Sequence, residues 1–229
     1  MKKPLLVILG IIIALFVIIA IVSLLYLGPI VKYGIQQFAP QITKVSVTVD
    51  NANVSLLGSA SIYGLTVGNP QGYTSPQAIK SGSMSISLDP LSVTSSKIMI
   101  HSVHVESPQI TFEGGIFGNN LSQILKNVNA SSTNQQPAPK TEIDDFLITG
   151  ATINIIISGV INKTVPLPDI HLTDLGKGSN GLTPVELITA ILKAILTGTL
   201  QAVTGAGGSG GISQTISSLT SSVGSLFGK

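Results

Sequence analysis

Residues 5–27, LLVILGIIIALFVIIAIVSLLYL, hold no charged side chain, and only Gly10, Ser23 and Tyr26 soften the run. Wound as a helix at ~1.5 Å per residue, the stretch is roughly 35 Å long, enough for a ~30 Å hydrocarbon core with slight tilt. It exceeds the ~7–15 apolar residues of a cleaved signal peptide, and SLLYLGPIV offers no small-x-small cleavage site. The sequence therefore predicts an uncleaved transmembrane signal anchor over residues 1–28. Lys2 and Lys3 ahead of it favour a cytoplasmic N-terminus, opposed only by Lys32, and Tyr26 suits the outer interface. With no cysteine in the chain, a cysteine-acylated lipoprotein, disulfides and thiol chemistry are all excluded.

The chain beyond the anchor has the size of one ordinary domain. All twelve basic residues are lysine; beyond Gly28 ten remain, against ten Asp plus Glu, so the body is near neutral. Nucleic-acid binders carry a basic patch and usually arginine forks, and this chain has neither. Charged residues make up 10% and apolar residues 44%, so the surface is built from Ser, Thr, Asn and Gly or stays substantially apolar.

IVKYGIQQFAPQI (30–42) predicts a short juxtamembrane helix within 29–43, its apolar side carrying Ile30, Tyr33 and Phe38 and its course interrupted at Pro40. From Lys44 the period changes to two: Val45, Val47 and Val49 alternate with Ser46, Thr48 and Asp50, the signature of a half-buried strand. ANVSLL (52–57) and SASIYGLTVG (59–68) continue it. Ala60 and Ile62 share one face, and Leu65 and Val67 break parity at Gly64, predicting a bulge there. GSMSISL (82–88) sets Met84, Ile86 and Leu88 against serines; KIMIHSVHVE (97–106) slips parity near His101-Ser102; QITFE comes after Pro108.

Leu121, Ile124, Leu125 and Val128 have helical spacing within 118–128, and 129–140 reads as a linker. EIDDFLITGATINIII (142–157) returns to strand with a bulge signal at Gly150, and 161–175 is a last strand region that Pro166 and Pro168 assign to an edge. The pattern argues for a meandering, mostly antiparallel sheet, spanning residues 44–175, whose apolar face needs a cover or a ligand. Thr183-Pro184-Val185-Glu186 is a capping box opening an amphipathic helix over 183–203, a candidate cover. A Gly/Ser-rich linker and an amphipathic tail fill 204–229, with Ile212, Ile216, Leu219, Val223 and Leu226 on one stripe.

Several pieces together carry a family resemblance: the anchor, Gly64-Leu65-Thr66-Val67-Gly68-Asn69-Pro70-Gln71-Gly72, Ser85-x-Ser87-x-Asp89, Val105-Glu106-Ser107-Pro108-Gln109-Ile110, and Gly118-Asn119-Asn120-Leu121 opening a helix. In their order and spacing, residues 44–125 resemble the N-terminal region of the AsmA-like family of bacterial envelope proteins. The resemblance implies a curved sheet open as an apolar trough, akin to TamB-like and chorein-type lipid-transfer proteins. It also implies a single-pass inner-membrane protein with its bulk in the periplasm, binding or helping to move lipids in envelope homeostasis. Phospholipid and other envelope proteins are the partners implied. The groove of such a trough would be lined by Ile62, Leu65, Val67, Met84, Ile86, Leu88, Val103, Val105, Ile110, Phe112, Ile153 and Ile155. About eight strands at ~4.8 Å give a trough of roughly 40 Å, enough to hold an acyl chain. The alternative is a non-enzymatic envelope scaffold that uses the same apolar face to bind a protein partner; a late-embryogenesis-type desiccation domain would instead be a closed sandwich.

No catalytic set is visible. His101 and His104, three apart on a strand, point to opposite faces unless a bulge intervenes, and His171 is distant in sequence, so no metal site is expected. Asp144 and Asp145 diverge in the same way. No G-x-S-x-G elbow has a partnered His and Asp, and GAGGSGG lacks the lysine and helix start of a phosphate loop. The chain reads as non-enzymatic and without a cofactor.

Overall fold

The computed structural model describes residues 2–115, 118–131, 138–157, 161–178 and 180–207; the tail stripe at 212–226 lies outside them, as does the middle of the polar linker, 132–137. The protein is mainly β, with helices at both ends of the described chain and between strands. α1 (Lys2–Thr43) leads into β1 (Val47–Thr48), β2 (Asn51–Val54), β3 (Ser59–Gly68) and β4 (Gln77–Leu88). A 3-10 turn (Pro90–Thr94), β5 (Lys97–Glu106), β6 (Gln109–Gly115) and β7 (Gly118–Asn119) precede α2 (Asn120–Ala130). β8 (Lys140–Thr149), β9 (Thr152–Ile157), β10 (Ile161–Pro166), β11 (Ile170–Leu175) and α3 (Pro184–Gly207) complete it.

The sheet is mixed rather than a meander. β5 pairs in parallel with β8, and β6 with β9, so the chain returns to the same end of the sheet before β8 begins. The other pairings are antiparallel. The register shows that β5–β6, β8–β9 and β11–β10 are long strands, each bent where its two segments join, lying side by side with β4, β3 and β2–β1. Tyr63 pairs with Ser83 and Leu65 with Ser81; Ser83 pairs with Glu106 and Lys80 with Gln109; Glu106 pairs with Thr149 and Gln109 with Thr152. The bends therefore fall on one line: Asp50, Gly64, Gly82, Ser107-Pro108, Gly150-Ala151 and 167–169.

Inward parity switches on every strand that crosses this line. Ile62 gives way to Leu65 and Val67, Met84 to Ser81 and Ile79, Val105 to Ile110, and Ile148 to Ile153. A bulge in one strand alone slips its register by a residue. Here all strands take the extra residue together, the pairing offset is unchanged across the line, and the sheet folds without losing its ladder. Asp50 N–H to Tyr63 O (3.0 Å), Ser107 N–H to Thr149 O (2.8 Å), Thr152 N–H to Pro108 O (2.9 Å) and Leu167 N–H to Ala151 O (2.9 Å) carry the bonding through the crease. Gly64 (φ 63°), Ser107 (φ 48°) and Gly150 (φ 62°) supply left-handed backbone on it, and a side chain at Gly64 would run into the Asp50 carboxyl.

A second crease crosses β5, β8 and β11. Inward parity switches between Ile100 and Val103, Ile143 and Phe146, and Leu172 and Leu175, with Asp174 at φ 55°. The slip expected near His101-Ser102 is this line, seen also as a register shift opposite Ser87 and Leu88. The two creases curl the sheet into a half-barrel whose aliphatic rows all face inward.

Helices fill the concavity. α2 is capped by Asn119, whose Oδ1 accepts from Ser122 N–H at 2.8 Å, and it buries Leu121, Ile124 and Val128. The capping box forms as expected: Thr183 N–H donates to Glu186 Oε2 at 2.8 Å, and Glu186 N–H to Thr183 Oγ1 at 3.3 Å. α3 buries Val185, Leu192, Ile195, Leu196 and Leu200 in the same core as the sheet. Among the described residues, 184–202 is long and apolar enough to cross a membrane, but it is packed as a core helix.

α1 departs from expectation in two ways. It is one 42-residue helix running through both Pro29 and Pro40, with no interruption at the latter. Each proline removes a single intrahelical donor, and packing of 28–43 on β1, β2 and α2 holds the course: Asn127 Nδ2 donates to Thr43 O (3.1 Å) and Ser131 Oγ to Ile42 O (3.0 Å). Secondly, Ile30, Tyr33 and Phe38 are exposed, and the inward side is Ile35, Ala39 and Thr43, spaced by four. The spacing of four follows the helix period more closely, so the smaller residues face the sheet.

Candidate functional site

The filling of the half-barrel is incomplete. An apolar pocket of ≈ 270 Å³ remains between the base of α1, the first half of α3 and both panels of the creased sheet. α1 contributes Ile35, Ala39 and Thr43; α3 contributes Ile188, Ile191, Leu192 and Ile195; Ile124 of α2 closes the floor. The sheet contributes Leu65, Val67, Ile79, Ser81, Met84, Val105, Pro108, Ile110, Phe146 and Ile148, so the pocket sits over the main crease. Parity reversal is what puts Leu65 and Met84, on opposite sides of that line, on one wall.

The two hydroxyls on the wall are occupied. Thr43 Oγ1 donates to Ala39 O at 2.9 Å, and Ser81 Oγ to Ser83 O at 3.1 Å. With its polar atoms turned onto the backbone, the wall offers only hydrocarbon. A polar or charged ligand would lose its hydration here without replacement.

Of the twelve residues expected to line a groove, the structure brings Leu65, Val67, Met84, Val105 and Ile110 to the pocket. Phe112, Ile153 and Ile155 are sealed, at 0%, 0% and 1% exposure, as part of the closed core. Ile62 and Val103 are buried, and Ile86 packs on the core beside them. Leu88 lies at the far end of β4, half-buried and off the pocket. The long trough is thus reduced to a pocket in its middle. The α3 isoleucines come from the helix expected to cover the sheet, whereas Ile35 and Ala39 were not expected there; their i, i+4 spacing was the available signal.

Two of the three histidines pair across strands with carboxylates. His101 Nδ1 lies 3.4 Å from Asp144 Oδ2, and His171 Nε2 lies 2.5 Å from Asp145 Oδ1, all of them exposed. His104 Nε2 meets Thr149 Oγ1 at 2.8 Å. No group of three His, Cys, Asp or Glu side chains stands close enough to hold a metal ion among the described residues.

Sequence reasoning missed a polar lock at the end of the sheet formed by the β3–β4 loop. Glu113 is buried, and its carboxylate accepts from Thr74 N–H (2.6 Å), Thr74 Oγ1 (2.7 Å) and Ser75 N–H (2.8 Å). Burial pushes its pKa up, but the hydrogen bonds from Ser75 and Thr74 outweigh it and hold the group down at about 2. Asn120, fully buried, accepts from Glu113 N–H (2.9 Å) and donates to Asn69 Oδ1 and Thr111 O (both 2.8 Å). The lock fastens loop 69–76 to β6 and to the start of α2.

No family model matches the chain, and no curated protein or solved structure matches it. The AsmA-like resemblance therefore rests on the residues that carry it.

Proposed function

We propose that this protein is a non-enzymatic, membrane-anchored module that holds a lipid acyl chain, with 5–27 as its span and the AsmA-like resemblance pointing to the periplasmic face of a bacterial inner membrane. The observation that carries the reading is the apolar pocket whose wall is completed by the base of α1. Counting a methylene as about the size of a water's ~30 Å³ share of liquid, the pocket takes on the order of ten carbons. That is part of one chain, not a diacyl lipid, so the headgroup and any second chain stay outside. An acyl chain already in a bilayer gains little from such a wall, since lipid tails are as apolar as leucine. Near-balanced exchange suits holding and returning a lipid. Transport along the full sheet is disfavoured by the sealed rows at Phe112, Ile153 and Ile155.

The test is extraction of the purified full chain followed by lipid mass spectrometry, with Ala39→Phe as the filled-pocket variant. The expected result is a stoichiometric lipid in the parent and its loss in the variant. A parent without lipid, or equal lipid in both, overturns the reading. A scaffold role is favoured by a different surface from the sheet face: Tyr26, Ile30, Tyr33 and Phe38 are 59–67% exposed along α1, a stripe open to a partner helix.

A further inference from the structure

Outside α1, the large apolar side chains most exposed to solvent among the described residues gather on two adjoining turns. Leu56 (53%) and Leu57 (90%) lie in the β2–β3 turn, and Leu91 (83%) and Val93 (50%) in the 3-10 turn after β4. The turns touch: Leu88 N–H donates to Gly58 O at 2.7 Å, and Pro90 stands against Gly58. The charged group beside them, Asp89, caps the 3-10 turn and accepts from Leu91 N–H at 2.9 Å.

The backbone of these turns is largely self-sufficient. Ser55 N–H bonds Ser59 O (2.8 Å), Leu57 N–H bonds Ser55 Oγ (3.1 Å) and Gly58 N–H bonds Ser55 O (3.2 Å). Ser92 N–H bonds Asp89 O (3.1 Å), Ser95 N–H bonds Ser92 O (2.9 Å), and Ser92 Oγ both donates to Asp89 O and accepts from Met99 N–H. Turns that satisfy their own donors lose little by leaving water, which is the condition for irregular backbone near lipid.

Their position supplies the partner. Lys32 Nζ donates to Asp50 O at 2.7 Å, and Gly28 packs directly on the Ala52 carbonyl. Four helical residues span about 6 Å and two strand residues about 7 Å, so α1 and β2 run side by side in opposite directions. Leu56 and Leu57 project roughly 10 Å beyond Ala52, alongside the uncharged stretch of α1 rather than its base.

We propose that the turns Ser55–Gly58 and Pro90–Thr94 are a second membrane contact, in which Leu56, Leu57, Leu91 and Val93 dip into the leaflet beside α1 and stand the half-barrel end-on to the bilayer. The inference rests on residues 5–27 crossing that bilayer. It places the sheet's apolar end, not its flank, against the lipid.

The chain has no cysteine, so single labels are readily placed. L57C, L91C, F16C and Q71C, each with an environment-sensitive fluorophore, are reconstituted as full chains in phosphatidylethanolamine–phosphatidylglycerol vesicles carrying nitroxide-labelled acyl chains. Phe16 reports the span, and Gln71 lies in the exposed loop at the opposite end of β3. The expected result is strong quenching at 16 and several-fold more quenching at 57 and 91 than at 71. Quenching at 16 with 57 and 91 no different from 71 overturns the turn contact and leaves the span intact. No quenching at 16 overturns the span, and this inference with it.

Discussion

The two ends of the half-barrel are built on opposite principles. At the β3–β4 end, loop 69–76 is fastened by Glu113 and Asn120, whose polar groups are buried and fully engaged. At the β2–β3 end, leucines stand in solvent on turns that bond mainly to themselves. The locked end turns its polar side chains onto its own backbone. At the other end Leu57 and Leu91, 90% and 83% exposed, contribute little to packing. Residues that do not stabilise the fold yet carry large apolar side chains point to something outside it.

The largest effect is expected at the locked end. Glu113→Ala strands the Thr74 and Ser75 donors, and Asn120→Ala strands the Glu113 N–H and the Thr111 carbonyl inside the core. Each should lower unfolding stability by about 2–4 kcal/mol, read as a shifted urea midpoint of the detergent-solubilised chain. A loss below ~0.5 kcal/mol for either would mean the lock is decorative and the ends are not different in kind.

Acid should open the same end. Glu113's folded pKa of about 2 lies below its ordinary value of 4.5. Its contribution is therefore fully present above pH ~4.5 and is lost as pH falls toward about 2, amounting to roughly 3 kcal/mol. Glu113→Gln should flatten this part of the stability–pH curve. An unchanged acid limb in the variant would assign the effect to other carboxylates.

Between the ends lies the crease, where effects should be intermediate. Gly64→Ala asks an L-residue to hold φ 63° against the Asp50 side chain and should cost about 2 kcal/mol. Gly150→Ala meets only the Ser107 hydroxyl, 3.1 Å from the new Cβ, and should cost about 1 kcal/mol. Equal stability of Gly64→Ala and the parent would show that the crease does not depend on left-handed backbone there.

The parity breaks that mark the creases were legible one strand at a time: at Gly64, near His101-Ser102 and at Gly150. Their alignment was not, because a line across strands exists only once the register is known, and β5 finds its partner β8 forty-three residues later. The same distance hid the parallel pairings, which no local pattern encodes. Capping at Thr183 and Glu186, and the edge position of the Pro166–Pro168 region, were readable because each depends on neighbours in sequence. The pocket was half legible. Strand alternation identified Leu65, Met84 and Ile110, but whether a buried row ends as wall or as sealed core depends on where α1, α2 and α3 settle. The Glu113 lock left no signal, since a lone glutamate in QITFEGG reads as a solvent-facing strand residue.

The smallest stability effect should come from the apolar end, and there the smallness is informative. Leu57→Ser and Leu91→Ser remove side chains that touch little of the folded body, so unfolding stability should stay within about 0.5 kcal/mol of the parent. If the leucines served the fold, the urea midpoint would fall as it does for Glu113→Ala. If they serve the bilayer, the midpoint holds while the accessibility of the turns in vesicles rises, measured as faster amide hydrogen exchange at 55–58 and 90–94 than in the parent. The crossed outcome, with one end setting stability and the other setting contact with lipid, is what separates a two-ended design from a uniformly packed half-barrel that happens to leave a few leucines outside.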